Sequence, residues 1–161
     1  IPSLVTTAFW KKPSLGLIPT ASAILQQELD SFVGKDIYNQ RNMINNMYSE
    51  FDGKVRTTDI YQTLYDHRGE YIYYHTENLP TSLGGYYIYS ELCSRLGITA
   101  NKLDSFSVSF ASHGFYGNLA NDFFKAYSEP DFVSLYEYNG RNVLLFNKTV
   151  PEEEVIEKSQ I

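Results

Sequence analysis

Residues 71–97 read Tyr71-Ile-Tyr-Tyr-His-Thr-Glu-Asn-Leu-Pro-Thr-Ser-Leu-Gly-Gly-Tyr-Tyr-Ile-Tyr-Ser-Glu-Leu-Cys-Ser-Arg-Leu-Gly97. The first four residues are β-branched or aromatic, which predicts a buried strand over 71–74. A loop over 76–80 follows, and the apolar spacing beyond it predicts a helix over 81–96. Gly97 then ends the helix, because glycine readily adopts the left-handed conformation found after helix C-termini. Strand, loop and helix in this order form the unit from which open α/β sheets are built.

The residues before this stretch predict two helices and two short strands. An apolar run over 15–19 ends in proline, as expected of the end of a buried strand. Thr20 is placed to cap a first helix and Asp36 to cap a second. The apolar positions of the two helices are Ala21, Ile24, Leu25 and Leu29, then Ile37, Ile44, Met47, Tyr48 and Phe51. A short strand over 55–60 and one or two helical turns over 61–67 follow.

The last third of the chain is rich in β-strand signals. Residues 106–110 alternate between apolar and polar side chains, as a half-buried strand does, and a loop is predicted over 113–117. Further strands are predicted over 132–138 and 143–146. They are joined by Asn139-Gly140, which is the strongest short hairpin signal in the sequence.

The order of these elements predicts the fold class. Alternating strands and helices, followed by a β-rich end, favour an open, partly parallel sheet flanked by helices, with an antiparallel C-terminal part. The length fits one α/β domain over 1–161. Residues 151–161 are expected to form a charged, exposed tail.

Composition limits the classes of partner. The chain has 13 Lys and Arg residues against 19 Asp and Glu residues, a formal net charge of -6. Nucleic-acid-binding proteins need a basic surface, so we predict no nucleic-acid partner. No apolar run approaches the roughly 20 residues of a membrane-spanning helix. Cys93 is the only cysteine, which excludes an internal disulfide and a cysteine-based zinc site, and its position in the predicted helix indicates a core residue.

The candidate catalytic residues lie in the loop after the predicted strand. The three histidines His67, His75 and His113 are scattered, and no two have the i, i+4 spacing of metal ligands on a helix. We therefore predict no metal and no other cofactor. In open α/β sheets, sites form outside the carboxyl ends of strands, where this loop places His75, Glu77 and Asn78. The alternative is an ordinary connection in which Glu77 is favoured near a helix N-terminus.

The chain resembles the DHHW proteins, bacterial exported proteins related to SGNH hydrolases, over Tyr73-Tyr-His-Thr-Glu-Asn-Leu-Pro-Thr-Ser-Leu-Gly-Gly-Tyr-Tyr87. The family signature is approximately Tyr-Tyr-Arg-Thr-Asp-His-His-Trp-Thr-x-x-Gly-Ala-Tyr-Tyr. Residues 17–21 resemble the family's strand-to-helix segment, and 115–119 resemble its Phe-x-Gly-Thr-Leu block. Residues 133–138 resemble the strand that follows. The resemblance covers about 14–140 and implies an SGNH-like α/β fold.

The chain departs from the family where chemistry is expected. Residues 77–80 are Glu-Asn-Leu-Pro in place of Asp-His-His-Trp. In the family, the aspartate and a histidine are expected to serve as orienter and general base. Glu77 can replace the acid, but neither Asn78 nor Leu79 can accept a proton from a serine at neutral pH. The family's serine is expected well after the Phe-x-Gly block, so this chain is either a truncated relative or part of a larger protein.

The resemblance and the departure together predict a catalytically degenerate domain of a bacterial exported or cell-surface protein. Its role would be binding or scaffolding, with a glycan or a protein as partner. The candidate contact residues are Tyr73, Tyr74, Tyr86 and Tyr116. A second hypothesis is a residual carbohydrate or acyl esterase, or an O-acetyltransferase, with His75 as base, Glu77 as orienter, and Ser82 or Ser112 as nucleophile. A third is a piece of a larger assembly completed by other chain or a partner.

Overall fold

The strands of this protein form two three-stranded sheets. The structure is a computed structural model that describes residues 3–7, 13–25, 39–51, 53–120, 129–138 and 141–142. The first sheet contains β1 (Ser3–Thr7), β2 (Ser14–Ile18) and β3 (Arg56–Thr58). Strand β2 is central, antiparallel to β1 and parallel to β3. The second sheet is antiparallel and contains β4 (Ser107–Phe115), β5 (Asp131–Tyr138) and β6 (Arg141–Asn142). This arrangement confirms the predicted α/β class.

Helices enclose the core beside the first sheet. They are α1 (Ala21–Leu25), α2 (Gln40–Glu50), α3 (Ile60–Asp66) and α4 (Ser82–Leu96), with a 3-10 turn at Leu103–Ser105. The larger core cluster consists of Ile24, Ile60, Leu64, Ile72, Tyr73 and Ile88. A smaller cluster joins Leu15 and Leu17 of β2 to Ile44 of α2. None of the helices in the described part combines the length and the apolar character that crossing a membrane requires.

Helix α2 begins at Gln40 in the described residues. The Asn39 side chain caps it by accepting a hydrogen bond from the Asn42 amide at 3.0 Å, which satisfies an amide that has no partner inside the helix. Of the predicted apolar stripe, Ile44 is buried, whereas Met47 is 39% exposed. The predicted positions Leu29, Asp36 and Ile37 lie outside the described residues.

Helix α4 confirms the prediction made from its sequence. The Thr81 hydroxyl caps it by accepting a hydrogen bond from the Gly84 amide, and Gly97 ends it with a φ of 71°. Cys93 is buried on this helix, as predicted. Because α4 is fixed at both ends, it gives the loop before it and the surface beside it a rigid support.

The prediction of a regular strand over 71–74 is wrong, although Ile72 and Tyr73 are buried as predicted. Tyr73 forms a single antiparallel bridge with Pro80. The chain turns back on itself, and the Thr81 amide donates to the Ile72 carbonyl at 2.9 Å. The segment therefore satisfies its backbone groups with its own following loop and joins neither sheet.

The second sheet extends beyond its predicted limits. The loop predicted over 113–117 is wrong for its first three residues, because β4 continues to Phe115 and pairs there with β5. Val108 and Phe110 are 51% and 65% exposed, so the alternation does not bury them as predicted. Tyr138 pairs with Arg141 as a hairpin requires. Residues 139–140, 143–146 and 151–161, for which a turn, a strand and a tail were predicted, lie outside the described residues.

Candidate functional site

One buried carboxylate organises the loop that carries the candidate residues. Asp131, the first residue of β5, has no exposed surface. Its Oδ2 accepts hydrogen bonds from the Thr76 amide at 2.8 Å and the Thr76 hydroxyl at 2.5 Å. Its Oδ1 accepts from the His75 amide at 2.8 Å and the Tyr71 hydroxyl at 2.5 Å. Four donors therefore converge on one side chain and tie residues 71–76 to the second sheet.

These donors keep Asp131 ionised. Burial is the largest single influence and by itself would raise the pKa, because it disfavours the charged form. The hydrogen bonds donated by Thr76, Tyr71 and the two amides outweigh it and lower the pKa of Asp131 below its ordinary value. Tyr71 responds in the opposite sense, since burial and its bond to the charged carboxylate raise its pKa.

His75 lies at the surface beside this carboxylate. Its Nδ1 is 3.3 Å from Asp131 Oδ1, and its side chain is 73% exposed. The imidazole ring also lies 5.2 Å from the ring of Tyr71. The sequence hypothesis paired His75 with Glu77, but the carboxylate that contacts His75 is Asp131, which the sequence analysis did not select.

Glu77 is committed to a different contact. It is buried, and its Oε1 accepts from the Asn78 amide at 2.8 Å while its Oε2 accepts from the Asn118 amide at 3.0 Å. It therefore holds the 115–119 segment and does not orient His75. Asn78 itself is exposed.

Gly117 allows this close contact between two segments that are distant in sequence. A Cβ atom at Gly117 would lie 2.5 Å from both the Cβ of Glu77 and the carbonyl oxygen of Thr76. The Gly117 amide donates to the Thr76 hydroxyl at 2.9 Å, and the Leu119 amide donates to the Thr76 carbonyl at 3.0 Å. Any side chain at Gly117 would push the two segments apart.

The two candidate nucleophiles are engaged elsewhere. The Ser82 hydroxyl donates to the Ser134 carbonyl, and the Ser112 hydroxyl accepts from the Gly114 amide at 3.3 Å. Within the described residues, no serine hydroxyl is hydrogen-bonded to His75. The structure thus brings a histidine and a carboxylate together, which are two of the three parts of a serine hydrolase triad.

A cavity of about 420 Å³ lies between α4 and β5. Its aromatic lining residues are Tyr74, Tyr86, Tyr89, Phe106, Tyr136 and Tyr138. The remaining lining residues are apolar or uncharged, and no Asp, Glu, Lys, Arg or His side chain lines it among the described residues. The volume falls within the range of small-molecule sites.

Phe106 is the centre of the aromatic wall. Its ring contacts those of Tyr86, Tyr136 and Tyr138 at centroid distances of 5.8, 6.4 and 5.5 Å. Edge-to-face and tilted contacts of this kind hold each ring in place. The wall is therefore a fixed surface and not a set of independent side chains.

The predicted contact tyrosines divide into three groups. Tyr74 and Tyr86 line the cavity. Tyr73 is only 3% exposed and donates its hydroxyl to the Pro19 carbonyl at 2.7 Å, so its selection as a surface contact is wrong. Burial also raises the pKa of Tyr73. Tyr116 is half-buried and lies outside the cavity lining.

The residues that β5 contributes to the site were not predicted from the sequence. Asp131 had no signal, because its partners are 55–60 positions away in the chain. Tyr136 and Tyr138 did have one, since they alternate along a predicted strand and so share one of its faces. Among the described residues, no group of three or more His, Cys, Asp or Glu side chains is placed to hold a metal ion.

The fold and the site define an α/β domain with an aromatic cavity. Beside this cavity, Asp131 of β5 holds residues 75–80, which we call the motif loop. The chain belongs to the DHHW family, whose model, described as DHHW protein, matches residues 15–153. The loop and the 115–119 segment that meet at Gly117 are two of the blocks by which the sequence resembles that family.

Two solved structures are similar to the chain. A DHHW family protein from Eubacterium siraeum is 24% identical with a TM-score of 0.61, and the match covers 77% of this chain and 40% of that one. This likeness supports the fold, and the chain spans less than half the length of that protein. The O-acetyltransferase domain of AlgJ from Pseudomonas putida is 16% identical with a TM-score of 0.48, covering 89% of this chain and 66% of that one. None of the curated proteins matches the chain.

Proposed function

We propose that this DHHW domain is a non-catalytic binding module that holds a neutral glycan in the aromatic cavity between α4 and β5. One observation carries the proposal: the cavity combines six aromatic rings with the absence of charged side chains from its described lining. Aromatic rings stack on the apolar faces of sugars. The tyrosine hydroxyls can form hydrogen bonds with the hydroxyl groups at the edges of the same sugars. An anionic sugar would find no cationic side chain to pair with among the described lining residues.

The polar groups of the lining divide into structural groups and groups available to a ligand. The Tyr86 hydroxyl donates to the Asn101 carbonyl, and the Tyr89 hydroxyl accepts from the Asn101 amide, both at 3.1 Å. The hydroxyls of Tyr136 and Tyr138 have no hydrogen-bond partner in the described part of the chain. These two hydroxyls, with the Asn101 side-chain amide, are the groups that would bind sugar hydroxyls.

The residues of the motif loop support the proposal that the domain is not a catalyst. Asn78 and Leu79 occupy the positions at which the family carries histidines, and neither can act as a general base. Glu77 is occupied by backbone amides. A loop fixed in this way supports the cavity through Tyr74, Leu79 and Pro80, which all contribute to its lining.

Replacing Tyr136 tests the binding site. Tyr136→Ala removes a ring from the wall and a hydroxyl that has no partner among the described residues, and we expect it to weaken disaccharide binding about 10- to 30-fold, the loss typical of a central aromatic contact. Titration calorimetry with cellobiose and with di-N-acetylchitobiose measures the dissociation constants. Phe132→Ala, which changes an exposed ring outside the cavity, is the matched control and should leave them unchanged. Absence of saturable binding to either disaccharide by the unmodified protein would contradict the proposal.

Residual acyl-esterase activity is the second candidate, and the 3.3 Å contact between His75 and Asp131 favours it. In such a reaction a serine oxygen would attack the ester carbon while the imidazole takes the hydroxyl proton, and the imidazole would then give that proton to the leaving alkoxide. Water would afterwards hydrolyse the acyl-serine. Since no serine is hydrogen-bonded to His75 in the described residues, we expect no such turnover. The prediction is equal p-nitrophenyl acetate hydrolysis by the unmodified protein, His75→Ala and His113→Ala. Loss of activity in His75→Ala alone would replace the binding proposal with the esterase.

The setting that we propose is the bacterial cell surface or exterior, where a glycan-binding module would meet its ligand. The resemblance to exported proteins supports this placement. Detection of the protein by antibody in cytoplasmic, membrane and external fractions tests it, and recovery in the cytoplasmic fraction alone would contradict it.

A further inference from the structure

The cavity wall continues along the second sheet beyond helix α4. Residues that alternate along a strand share a face, so Phe132, Ser134, Tyr136 and Tyr138 lie on the same face of β5. Strand pairing sets Val108 opposite Tyr136 and Phe110 opposite Ser134, which adds both apolar residues to this face. The wall that begins in the cavity therefore extends over the adjoining part of β4 and β5.

This adjoining part is open to solvent. Val108, Phe110 and Phe132 are 51%, 65% and 51% exposed. The ring of His113 links the two phenylalanines, with centroids 5.1 Å from Phe110 and 6.0 Å from Phe132. We call these four residues the outer strip. Helix α4 covers the other end of the same face, where Tyr86 contacts Phe106.

We propose that the cavity and the outer strip form one open-ended groove for an extended neutral polysaccharide. The proposal rests on the binding function proposed above and specifies its ligand as a polymer and not a single sugar or chain terminus. From Tyr138 to Phe132 the strand spans roughly 20 Å, at about 3.3–3.4 Å for each residue. That length accommodates several consecutive sugar rings.

The chemistry of the outer strip matches that of the cavity. It carries no Asp, Glu, Lys or Arg side chain, and neither does the described lining of the cavity. The His113 ring contacts both phenylalanine rings, which limits their movement and reduces the entropy lost on binding. A polysaccharide presents apolar faces at regular intervals. The rings of the outer strip lie at separate points along two strands, so they can contact more than one of these faces.

Exposed phenylalanines on a sheet would otherwise attract another protein surface or a second copy of the chain. Continuity with the cavity favours the polysaccharide, because the covered end of the same face carries the hydroxyls of Tyr136 and Tyr138, which can bind sugar hydroxyls. Ser134 lies on this face between the two ends, where its side chain can serve a sugar hydroxyl.

Chain-length dependence tests the groove. Cello- and chito-oligosaccharides from disaccharide to hexasaccharide are titrated into the protein, and we expect the affinity to rise about tenfold or more with length. Phe110→Ala and Phe132→Ala should each reduce hexasaccharide affinity about three- to tenfold, the range for one aromatic contact, while disaccharide affinity stays unchanged. Tyr136→Ala should weaken both ligands.

The outcomes separate the two proposals. If disaccharides bind but the affinity does not rise with length, or Phe110→Ala and Phe132→Ala leave hexasaccharide affinity unchanged, the groove is wrong and the cavity stands. If no saccharide binds, both are wrong. Sedimentation of the free protein provides a further test, since a dimer that Phe110→Ala dissociates would assign the outer strip to a second copy and overturn the groove. Thermal melts of each variant confirm that it is folded.

Discussion

Asp131→Ala is expected to lower the free energy of unfolding by about 3–5 kcal/mol, because several buried donors each lose a bond to a charged acceptor. The substitution leaves the Tyr71 hydroxyl, the Thr76 hydroxyl and the amides of His75 and Thr76 without their acceptor. Buried donors without partners each carry a desolvation cost. Urea unfolding followed by circular dichroism measures the change.

Asp131→Asn extends this test to pH. The folded-state pKa of Asp131 is lowered, so its contribution to stability is fully present above the unfolded-state pKa, about 3.9, and is lost as pH falls through the folded-state pKa. The unmodified protein should therefore lose stability below about pH 4. The Asp131→Asn variant should be less stable at neutral pH. Its free energy of unfolding should fall less steeply as the pH is lowered, because residue 131 no longer titrates.

Asp104→Asn is the matched control for both substitutions. Asp104 is exposed in the 3-10 turn, and its replacement should change the free energy of unfolding by no more than about 0.5 kcal/mol. Equal stabilities of Asp131→Ala and Asp104→Asn would show that the carboxylate does not hold the loop.

Gly84→Ala should have the second large effect. A Cβ at Gly84 would lie 2.3 Å from the Ile72 carbonyl oxygen and 3.0 Å from the Cβ of Pro80. That oxygen accepts from the Thr81 amide, so the backbone cannot retreat without losing the bond. We expect a net loss of about 1–3 kcal/mol, even though alanine suits a helix better than glycine.

Gly69→Ala separates this clash from the general effect of replacing glycine. A Cβ at Gly69 meets no atom within 4 Å, so this variant should stay within about 0.5 kcal/mol of the unmodified protein in the same urea experiment. If Gly84→Ala proves as stable as Gly69→Ala, helix α4 does not pack closely enough to fix the motif loop.

Local signals in the sequence predicted the local structure. The predicted start of α4 near Thr81 and its predicted end at Gly97 depend on neighbouring residues, and both are confirmed. The strand predicted over 71–74 was wrong because propensity indicated extended, buried residues but not their hydrogen-bond partners. Those partners lie in the following loop, and a pattern of residue types does not specify where a chain turns back.

The candidate site was predicted only in part. The loop with His75, Glu77 and Asn78 was found because it follows a dense apolar run, and Tyr74 and Tyr86 do line the cavity. Asp131 could not be found, since a lone aspartate before a strand resembles any surface residue until the fold buries it. The role predicted for Glu77 as orienter was wrong for the same reason, because only the folded chain reveals which carboxylate contacts the imidazole.

The position of Asp131 also predicts an order of events during folding. Its hydrogen bonds to Tyr71 and Thr76 join residues 60 and 55 positions apart, whereas the Thr81 hydroxyl and the Tyr71 carbonyl are only 10 apart. Closing a long loop costs more chain entropy than closing a short one, so the local turn can form before β5 arrives. The amide protons of His75 and Thr76 should gain protection from solvent exchange only when β5 docks, because their acceptor is Asp131. The time at which these amides become protected during refolding therefore measures when β5 packs against residues 71–76.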